Sequence, residues 1–354
     1  MGVVTTIVVI ISITITYLLI HFPNFHGTAL AIRENETLSG GRQSVIDMLL
    51  SSQEEEIEES VEEVEVVEDE LRGHQIRLKL PTHVTSQAVS IEQDFVYKTV
   101  TITIDGIGSS YFDDYPMIGK SNNIAEVTYE SENMVGVIEI ALDDVLEVQM
   151  TSEDEYVYFD FVNPSDIYDY VVVVDAGHGG KVPGASKMGV NEKDIDLAVV
   201  LELKKLFEST DKNIGVYYTR TTDVNPAFAN RVGLANDSEA DLFLSVHANS
   251  TASGRMSSIS GTEVMYCGAD ASGESKAFAT TCLNHLLDEL GTKSKGTVVG
   301  DDIYIIRESN APVALVEVGF MTNQEELDNM CDSNYQKKAA KALYDAVIEY
   351  LYEE

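Results

Sequence analysis

Four residues of this 354-residue chain have the types and positions of groups that bind metal ions or move protons. His178 leaves an apolar run in a glycine-rich turn, and His247 ends a second apolar run. Glu192 opens a predicted helix, whose dipole favours an ionised carboxylate at that position. Glu317 lies inside the apolar stretch Val313–Phe320, where an unpaired carboxylate is costly. Two histidines and a glutamate on neighbouring strand ends form the ligand set of a catalytic zinc with an open position, and a second glutamate beside it can transfer protons.

Two of these four residues, Glu192 and His247, also have an ordinary structural explanation when they are considered one at a time. Glu192 can simply complement the helix dipole, with Asn191 before it as a predicted N-cap and Asp194 in the position of a capping box. His247 can be a hydrogen-bonded structural histidine. Glu317 lacks such an explanation, because a carboxylate inside a buried strand needs a cation, a proton or a cleft.

The elements that must hold these residues alternate between strands and helices after Tyr168. Strands that are apolar throughout and separated by helices predict an α/β fold with a mostly parallel sheet and helices on both faces. Ligands in such sheets bind beyond the carboxyl ends of the strands, which is where the polar residues lie. The predicted strands cover 171–177, 213–220, 240–249, 261–267 and 312–320, and the predicted helices cover 192–208, 227–236, 272–290 and 333–351.

The region before the predicted sheet has a different pattern. From about Gln75 to Val162, short runs of alternating polarity separated by Gly, Asp and Asn predict a small antiparallel all-β domain. Between Glu54 and Glu70, eleven of seventeen residues are acidic, and such a block extends by repelling itself.

The first residues of the chain predict an export element. Residues Val3–Ile20 carry no charge, and a run of this length is near the lower limit for crossing a bilayer. An uncleaved anchor and a cleaved signal peptide both stay open, since Ala29–Ala31 has the small-x-small pattern of a cleavage site. The predicted organisation is a signal-anchor or signal peptide at 1–31, an acidic flexible linker at 32–72, the β-rich domain at 73–167 and the catalytic domain at 168–354.

The charge and the cysteines exclude some classes of function. The formal net charge is −37, so the chain repels polyanions and a nucleic-acid partner is not expected. Cys267, Cys282 and Cys331 lack metal-motif spacing and are predicted to be buried free thiols. His285 is predicted to be structural, because it lies in the middle of a helix.

Several motifs together resemble the zinc-dependent N-acetylmuramoyl-L-alanine amidase family of bacterial cell-wall hydrolases. They occur in order and with family-like spacing over about residues 170–351. The β-rich region before them weakly resembles the AMIN domain that often precedes such amidases. The motifs are Val174–Gly180, Asn191–Glu192, Tyr218–Asp223, Arg231 with Ala235–Asn236, Ser245–Asn249 and Val316–Asn323.

The resemblance implies one Zn²⁺ bound by His178, Glu192 and His247, with Glu317 as the catalytic glutamate that moves protons. It also implies a peptidoglycan hydrolase that cuts the amide bond between N-acetylmuramic acid and L-alanine. Such an enzyme acts outside the cytoplasm at the cell wall, secreted or held to the membrane by its N-terminal segment. A zinc peptidase that cuts within the stem peptide and an inactive wall-binding protein remain as alternatives.

Other matched residues are expected to support the site. Arg220 and Arg231 match family positions, and we expect them to be structural, pairing carboxylates such as Asp223. Asp175 could orient His178 through its second ring nitrogen.

The segment between the second histidine and the catalytic glutamate bears on regulation. Its one predicted helix has an apolar face to bury, and the loop 291–300 is too short for a lid helix. No obligatory activator protein is therefore expected.

Overall fold

The structure is a computed structural model that describes residues 70–352. The predicted signal or anchor segment (1–31) and most of the predicted linker (32–72) lie outside this range. Within residues 70–352, no helix has the length and apolarity needed to span a bilayer.

The first part of the described chain is a sandwich of antiparallel sheets. Its eight strands are counted here in chain order. One sheet contains the fourth, first, eighth and seventh strands, side by side in that order, and the other contains the second, third, sixth and fifth. The predicted antiparallel β-rich region is confirmed. The strands are β1 (Ile76–Lys79), β2 (Val89–Asp94), β3 (Thr99–Asp105), β4 (Ile118–Gly119), β5 (Ile124–Glu132), β6 (Val135–Leu142), β7 (Glu147–Glu153) and β8 (Tyr156–Val162), with short helices α1 (Tyr111–Asp114) and α2 (Pro164–Ile167).

The sandwich forms because its strands alternate in polarity. In β3, Val100, Ile102 and Ile104 are buried while the threonines between them are partly exposed. Successive side chains of a strand point to opposite faces, so this alternation buries one face of each sheet against the other.

The second part of the described chain is a six-stranded sheet covered by helices. The sheet strands are β9 (Tyr170–Ala176), β12 (Ile214–Tyr218), β13 (Leu242–Asn249), β14 (Thr262–Tyr266), β15 (Ser294–Val299) and β16 (Val313–Phe320), and a small hairpin consists of β10 (Ser186–Lys187) and β11 (Val190–Asn191). The helices are α3 (Glu192–Glu208), α4 (Phe228–Asp237), α5 (Glu274–Leu290), α6 (Tyr304–Arg307), α7 (Gln324–Met330) and α8 (Ser333–Tyr352).

The sheet has the order β12-β9-β13-β16-β14-β15. Four of its five strand pairings are parallel, and only β14 with β16 is antiparallel. Strand β9 is apolar on both sides because both faces of the sheet are covered. Val172 and Val174 pack with α3, α5 and α8, whereas Val171 and Val173 pack with α4 and α6. The prediction of a mostly parallel sheet with helices on both faces is confirmed.

Two elements near the end of the sheet differ from the sequence prediction. Residues 291–300 were predicted to be a loop, but Ser294–Val299 form the edge strand β15. Its polar sequence has no apolar period, because an edge strand has only one neighbour and leaves much of its surface in water. Helix α7 was also not predicted. Its seven residues are too few to give a clear helical period.

The sandwich packs directly on the sheet. Val145 belongs to the same buried cluster as the outer face of the sheet. The rings of Phe95 and Tyr217 meet edge to face at a centroid distance of 4.7 Å, and Lys98 Nζ lies 3.0 Å from Asp237 Oδ2. These contacts hold the two parts together on the side of α4.

Candidate metal centre

The order of the sheet brings the predicted site residues to one edge. His178 follows β9 by two residues, and His247 lies near the carboxyl end of the adjacent strand β13. His247 is directly opposite Glu317 in the pairing of β13 with β16. Glu192 is the first residue of α3, which covers this end of the sheet. The structure therefore places all four predicted site residues at the carboxyl edge of the three central strands.

Three of the four residues are in direct contact. Glu192 Oε1 lies 2.9 Å from His178 Nε2 and 3.0 Å from His247 Nδ1. The two imidazole rings are nearly perpendicular, with centroids 5.0 Å apart and an interplanar angle of 81°. Glu192 Oε2 accepts a hydrogen bond of 2.7 Å from the backbone N–H of Ala185. Two ring nitrogens and a carboxylate oxygen thus converge on one point.

Glycines allow this close approach. A Cβ atom on Gly177 would lie 2.3 Å from His247 Cε1, and one on Gly184 would lie 2.5 Å from Glu192 Oε2. Either atom would displace a side chain of the cluster. His178 itself has a φ of 58°, a left-handed conformation that aims its ring back toward Glu192. The glycine-rich turn is needed for packing around the histidines.

Glu192 and Glu317 occupy opposite electrostatic environments. Burial raises the pKa of Glu192, but the hydrogen bonds that it accepts from His178 and His247, together with the charges of these histidines, outweigh burial and hold that pKa at about 2. Burial raises the pKa of Glu317 well above its usual value, and the charges of Glu192 and Glu263 add to the effect. Glu317 Oε2 is buried without a hydrogen-bond partner in the described part of the chain. One glutamate is held as an anion, whereas the other is poised to bind a proton.

The predicted capping box at the start of α3 does not form. Asn191 occupies the N-cap position, but its side chain accepts no backbone hydrogen bond. Its Nδ2 donates to Asp194 Oδ2 at 3.1 Å instead. The first turn of the helix is fixed in part by Glu192, whose backbone N–H donates to the carbonyl of Ala185 at 2.8 Å.

The expectation that Asp175 orients His178 is wrong. Asp175 is buried, and both of its oxygens have other donors. Oδ1 accepts from Thr219 Oγ1 at 2.6 Å and from Arg231 Nη1 at 2.5 Å, and Oδ2 accepts from Ser245 Oγ at 2.6 Å. Burial raises the pKa of Asp175, but the charges of Arg231 and His247 and the hydrogen bonds from the serine and threonine hydroxyl groups together outweigh it, so this pKa lies below its usual value. Asp175 anchors the strand ends rather than the histidine ring.

The expectation that both arginines are structural agrees with their contacts, although their partners differ from the predicted one. Arg231 donates to Asp175 and also to the carbonyls of Ala176 and His178, at 2.7 and 2.6 Å. Arg220 donates to backbone carbonyls, including that of Ala176 at 2.9 Å, and does not form the predicted pair with Asp223. Both guanidinium groups fix the backbone of the turn that carries His178.

Replacing Arg231 by methionine is expected to destabilise the fold by about 3–5 kcal/mol, because it leaves the buried Asp175 carboxylate without its cation. The measurement is urea-induced unfolding followed by circular dichroism. Arg307→Met is the control, since Arg307 is about half exposed and pairs with Glu308 on the surface, where such a pair contributes about 0–1 kcal/mol. A loss below about 1 kcal/mol for Arg231→Met would show that the buried pair is not a main support of the site.

The remaining histidine and the cysteines lie outside this cluster. His285 Nε2 is 2.7 Å from Glu349 Oε2 between α5 and α8, a contact that agrees with the structural role expected for it. The three cysteines are free, as predicted. Only Cys282 is buried, however, whereas Cys267 is partly buried and Cys331 is exposed.

One residue of the cluster was missed by the sequence analysis. Asp196 offers a carboxylate oxygen that lies with the ligand atoms of His178, Glu192 and His247 in a group whose members are all within 4.8 Å of one another. Its burial, with the charges of Glu192 and Glu317, raises the pKa of Asp196 well above its usual value. The available signal was its spacing, since residues four apart share a helix face and Asp196 follows Glu192 by four.

Comparison with known proteins identifies the family to which this chain belongs. A model of the N-acetylmuramoyl-L-alanine amidase family matches residues 172–349, about half of the chain. An uncharacterised protein of Bacillus subtilis (strain 168), YqiI, is 37% identical over 180 residues, which are 51% of this chain and 84% of YqiI. The chain belongs to the N-acetylmuramoyl-L-alanine amidase family.

Other similar proteins match the same part of the chain. The N-acetylmuramoyl-L-alanine amidase LytC of Bacillus subtilis (strain 168) is 32% identical over 180 residues, 51% of this chain and 35% of LytC. The catalytic domain of the amidase CwlV from Bacillus (Paenibacillus) polymyxa var. colistinus is 33% identical, with a TM-score of 0.47, and the match covers 51% of this chain and 98% of that domain. An N-acetylmuramoyl-L-alanine amidase from Clostridium difficile 630 is 29% identical, with a TM-score of 0.49. This match covers 52% of this chain and 98% of that one.

Proposed function

We propose that this protein hydrolyses peptidoglycan at the amide bond between the lactyl group of N-acetylmuramic acid and L-alanine of the stem peptide. The observation that carries the proposal is the convergence of His178, Glu192 and His247 beside Glu317, whose Oε2 is buried without a partner, in a chain of this family. The first three residues have the donor set of a catalytic zinc site, and the fourth can exchange a proton.

The residues fit a zinc ion. Two imidazole nitrogens and a carboxylate oxygen already point at one another across 2.9 and 3.0 Å, and the site needs a cation to balance its buried carboxylates. We propose His178, Glu192 and His247 as the ligands. When bound, zinc supplies Lewis acidity that polarises the scissile carbonyl and makes water a stronger nucleophile.

The chain's own residues provide the proton transfers. Glu317 takes a proton from the attacking water and returns it to the amide nitrogen as the C–N bond breaks, which yields a lactyl carboxylate and a free L-alanine amine. The environment that raises the pKa of Glu317 favours this exchange, because it makes the carboxylate a better base than an exposed one. Arg231 holds the carbonyls of Ala176 and His178 and so keeps the His178 turn in position.

Two segments beside the site support an acidic peptide as substrate. The β10–β11 hairpin precedes Glu192 directly, and the loop 250–260 begins three residues after His247. They meet where the Lys187 ammonium lies beside Gly254, since a Cβ on this glycine would be 3.5 Å from Lys187 Nζ. Lys187 and the exposed Arg255 form no ion pair within residues 70–352, although the chain as a whole carries a net charge of −37. Both cations are free to attract carboxylates of the stem peptide.

Lys187→Gln and Arg255→Gln are each expected to raise KM for a muramyl peptide about two- to fivefold with little change in kcat, as loss of a partly exposed ion pair would. Steady-state kinetics at low ionic strength measure this. Lys276→Gln is the matched control. Lys276 is exposed beside Ser275, which bonds to Val313 at the opposite end of β16 from Glu317. A KM change as large in the control would show a general charge effect instead of a contact with substrate.

Digestion of purified peptidoglycan tests the proposed bond. The expected product is a new free amino group on L-alanine beside an intact glycan strand. Cleavage between amino acids would favour a zinc peptidase acting within the stem peptide. No new end groups from zinc-loaded protein would favour a wall-binding protein without activity.

We also propose the predicted organisation of the whole chain, with an AMIN-like sandwich at 73–167 and the catalytic domain at 168–354. The proposed location is outside the cytoplasm at the cell wall, reached through an N-terminal signal or anchor. No activator is proposed. Between His247 and Glu317 the described helices are α5 and α6, whose apolar residues are buried in the two clusters that flank the sheet instead of covering the site. The same digestion, performed with this protein alone, tests that point.

A further inference from the structure

Asp196 is a buried carboxylate without a partner. It lies in α3 with an exposed fraction of 0%, and neither Oδ1 nor Oδ2 has a hydrogen-bond partner within residues 70–352. Other buried carboxylates of this described range have partners, although Glu317 Oε2 beside it does not. Glu326, for example, accepts from the backbone N–H groups of Gly261 and Phe320, both at 2.7 Å. Asp196 therefore needs a separate explanation, because burying a carboxylate without compensation is costly.

The charges around Asp196 do not supply that compensation. The nearby carboxylates of Glu192 and Glu317 repel it. Arg220 is the cation whose charge reaches it, but the guanidinium donates its hydrogen bonds to backbone carbonyls. Three carboxyl groups consequently share a small buried region with little positive charge. A divalent cation at the proposed ligand set would provide the missing charge.

The position of Asp196 is suited to such a cation. It follows Glu192 by four residues, so both side chains project from the same face of α3 toward the sheet. One of its oxygens lies within 4.8 Å of the ligand atoms of His178, Glu192 and His247. The potential ligand atoms of all four residues therefore lie in one small volume.

We propose that Asp196 is a further residue of the metal centre, which strengthens metal binding with its negative charge and destabilises the metal-free fold. The inference rests on the proposed metal centre and adds a residue to it. Asp196 is not assigned a proton transfer or a contact with substrate. Metal binding is coupled to folding through this residue, since the cation relieves a repulsion that the empty fold must bear.

The test compares Asp196→Asn and Asp196→Ala with the unchanged protein. Zinc affinity is measured by competition with a chromogenic chelator, and thermal unfolding is followed with and without zinc. Both variants are expected to bind zinc about 10- to 100-fold more weakly, the usual effect of losing a residue that supports a metal site. Their metal-free forms are expected to melt at a higher temperature than the metal-free unchanged protein, so that zinc stabilises the variants less.

Asp194→Asn is the matched control. It removes the same charge from the same helix, but Asp194 is exposed and its carboxylate lies beside Lys193. Its zinc affinity should stay within about twofold of the unchanged protein. Unaltered affinity in both Asp196 variants, or metal-free variants that fold less well than the unchanged protein, would overturn the inference. If the unchanged protein bound no zinc, the proposed metal centre itself would be wrong. Zinc binding by the unchanged protein therefore distinguishes failure of the metal centre from failure of the Asp196 inference alone.

Discussion

Glu317→Gln is expected to keep its metal and to lose turnover by a factor of about 10²–10⁴, the range that general acid–base assistance contributes. Glutamine has nearly the shape of glutamate, so the pairing of β16 with β13 and β14 should persist. The amide cannot accept the proton of the attacking water or return it to the leaving nitrogen. The measurement is release of free amino groups from purified peptidoglycan, with zinc content determined on the same sample.

Glu263→Gln provides a control for the charge alone. Glu263 lies directly opposite Glu317 in the pairing of β14 with β16 and contributes to its raised pKa. The same substitution there removes a nearby negative charge but leaves the carboxyl of Glu317 in place. This variant should keep most of its turnover. If Glu317→Gln retained more than about a tenth of the rate, Glu317 would not be the base.

For His247→Ala, we expect loss of both metal and activity. His247 supplies one of the two ring nitrogens that lie about 3 Å from Glu192 Oε1, and the alanine leaves two protein ligands where a catalytic zinc site has three. Removing a ligand weakens metal binding, and the reaction is lost because it needs the metal. Zinc content after dialysis and the rate of peptidoglycan hydrolysis are both measured.

His285→Ala is the matched histidine control. Its ring contacts Glu349 of α8 and plays no part in the cluster. This variant should retain zinc and most of its activity. Stoichiometric zinc in His247→Ala, in contrast, would contradict the ligand set, and full activity without zinc would contradict the proposed role of zinc in the reaction.

Local pattern in the sequence determined which residues reach the site. His178 and His247 come at the ends of apolar runs, and Glu317 lies inside one, so their strands and their edge of the sheet were predictable. The bounds of the longer elements followed as well, since the helix predicted at 192–208 is observed at Glu192–Glu208. Such predictions succeed because periodicity and strand ends depend on residues close together in the chain.

The tertiary structure alone decided how these elements meet. The antiparallel direction of β14 and the edge strand β15 depend on the path of the chain between strands, which periodicity does not encode. The partners of Asp175 come from residues 44 to 70 positions further along the chain. Donors from distant side chains occupy the carboxylate oxygens of Asp175 that were expected to accept from His178, which is why the expected link failed.

The isolation of Asp196 was decided in the same way. Its identity and its spacing from Glu192 are visible in the sequence, yet the sequence does not reveal that no donor reaches it in the described fold. Whether a buried carboxylate is satisfied depends on every segment packed around it. The sequence fixes which groups the chain can offer to a metal or a substrate, and only three-dimensional packing decides which of them are left without a partner.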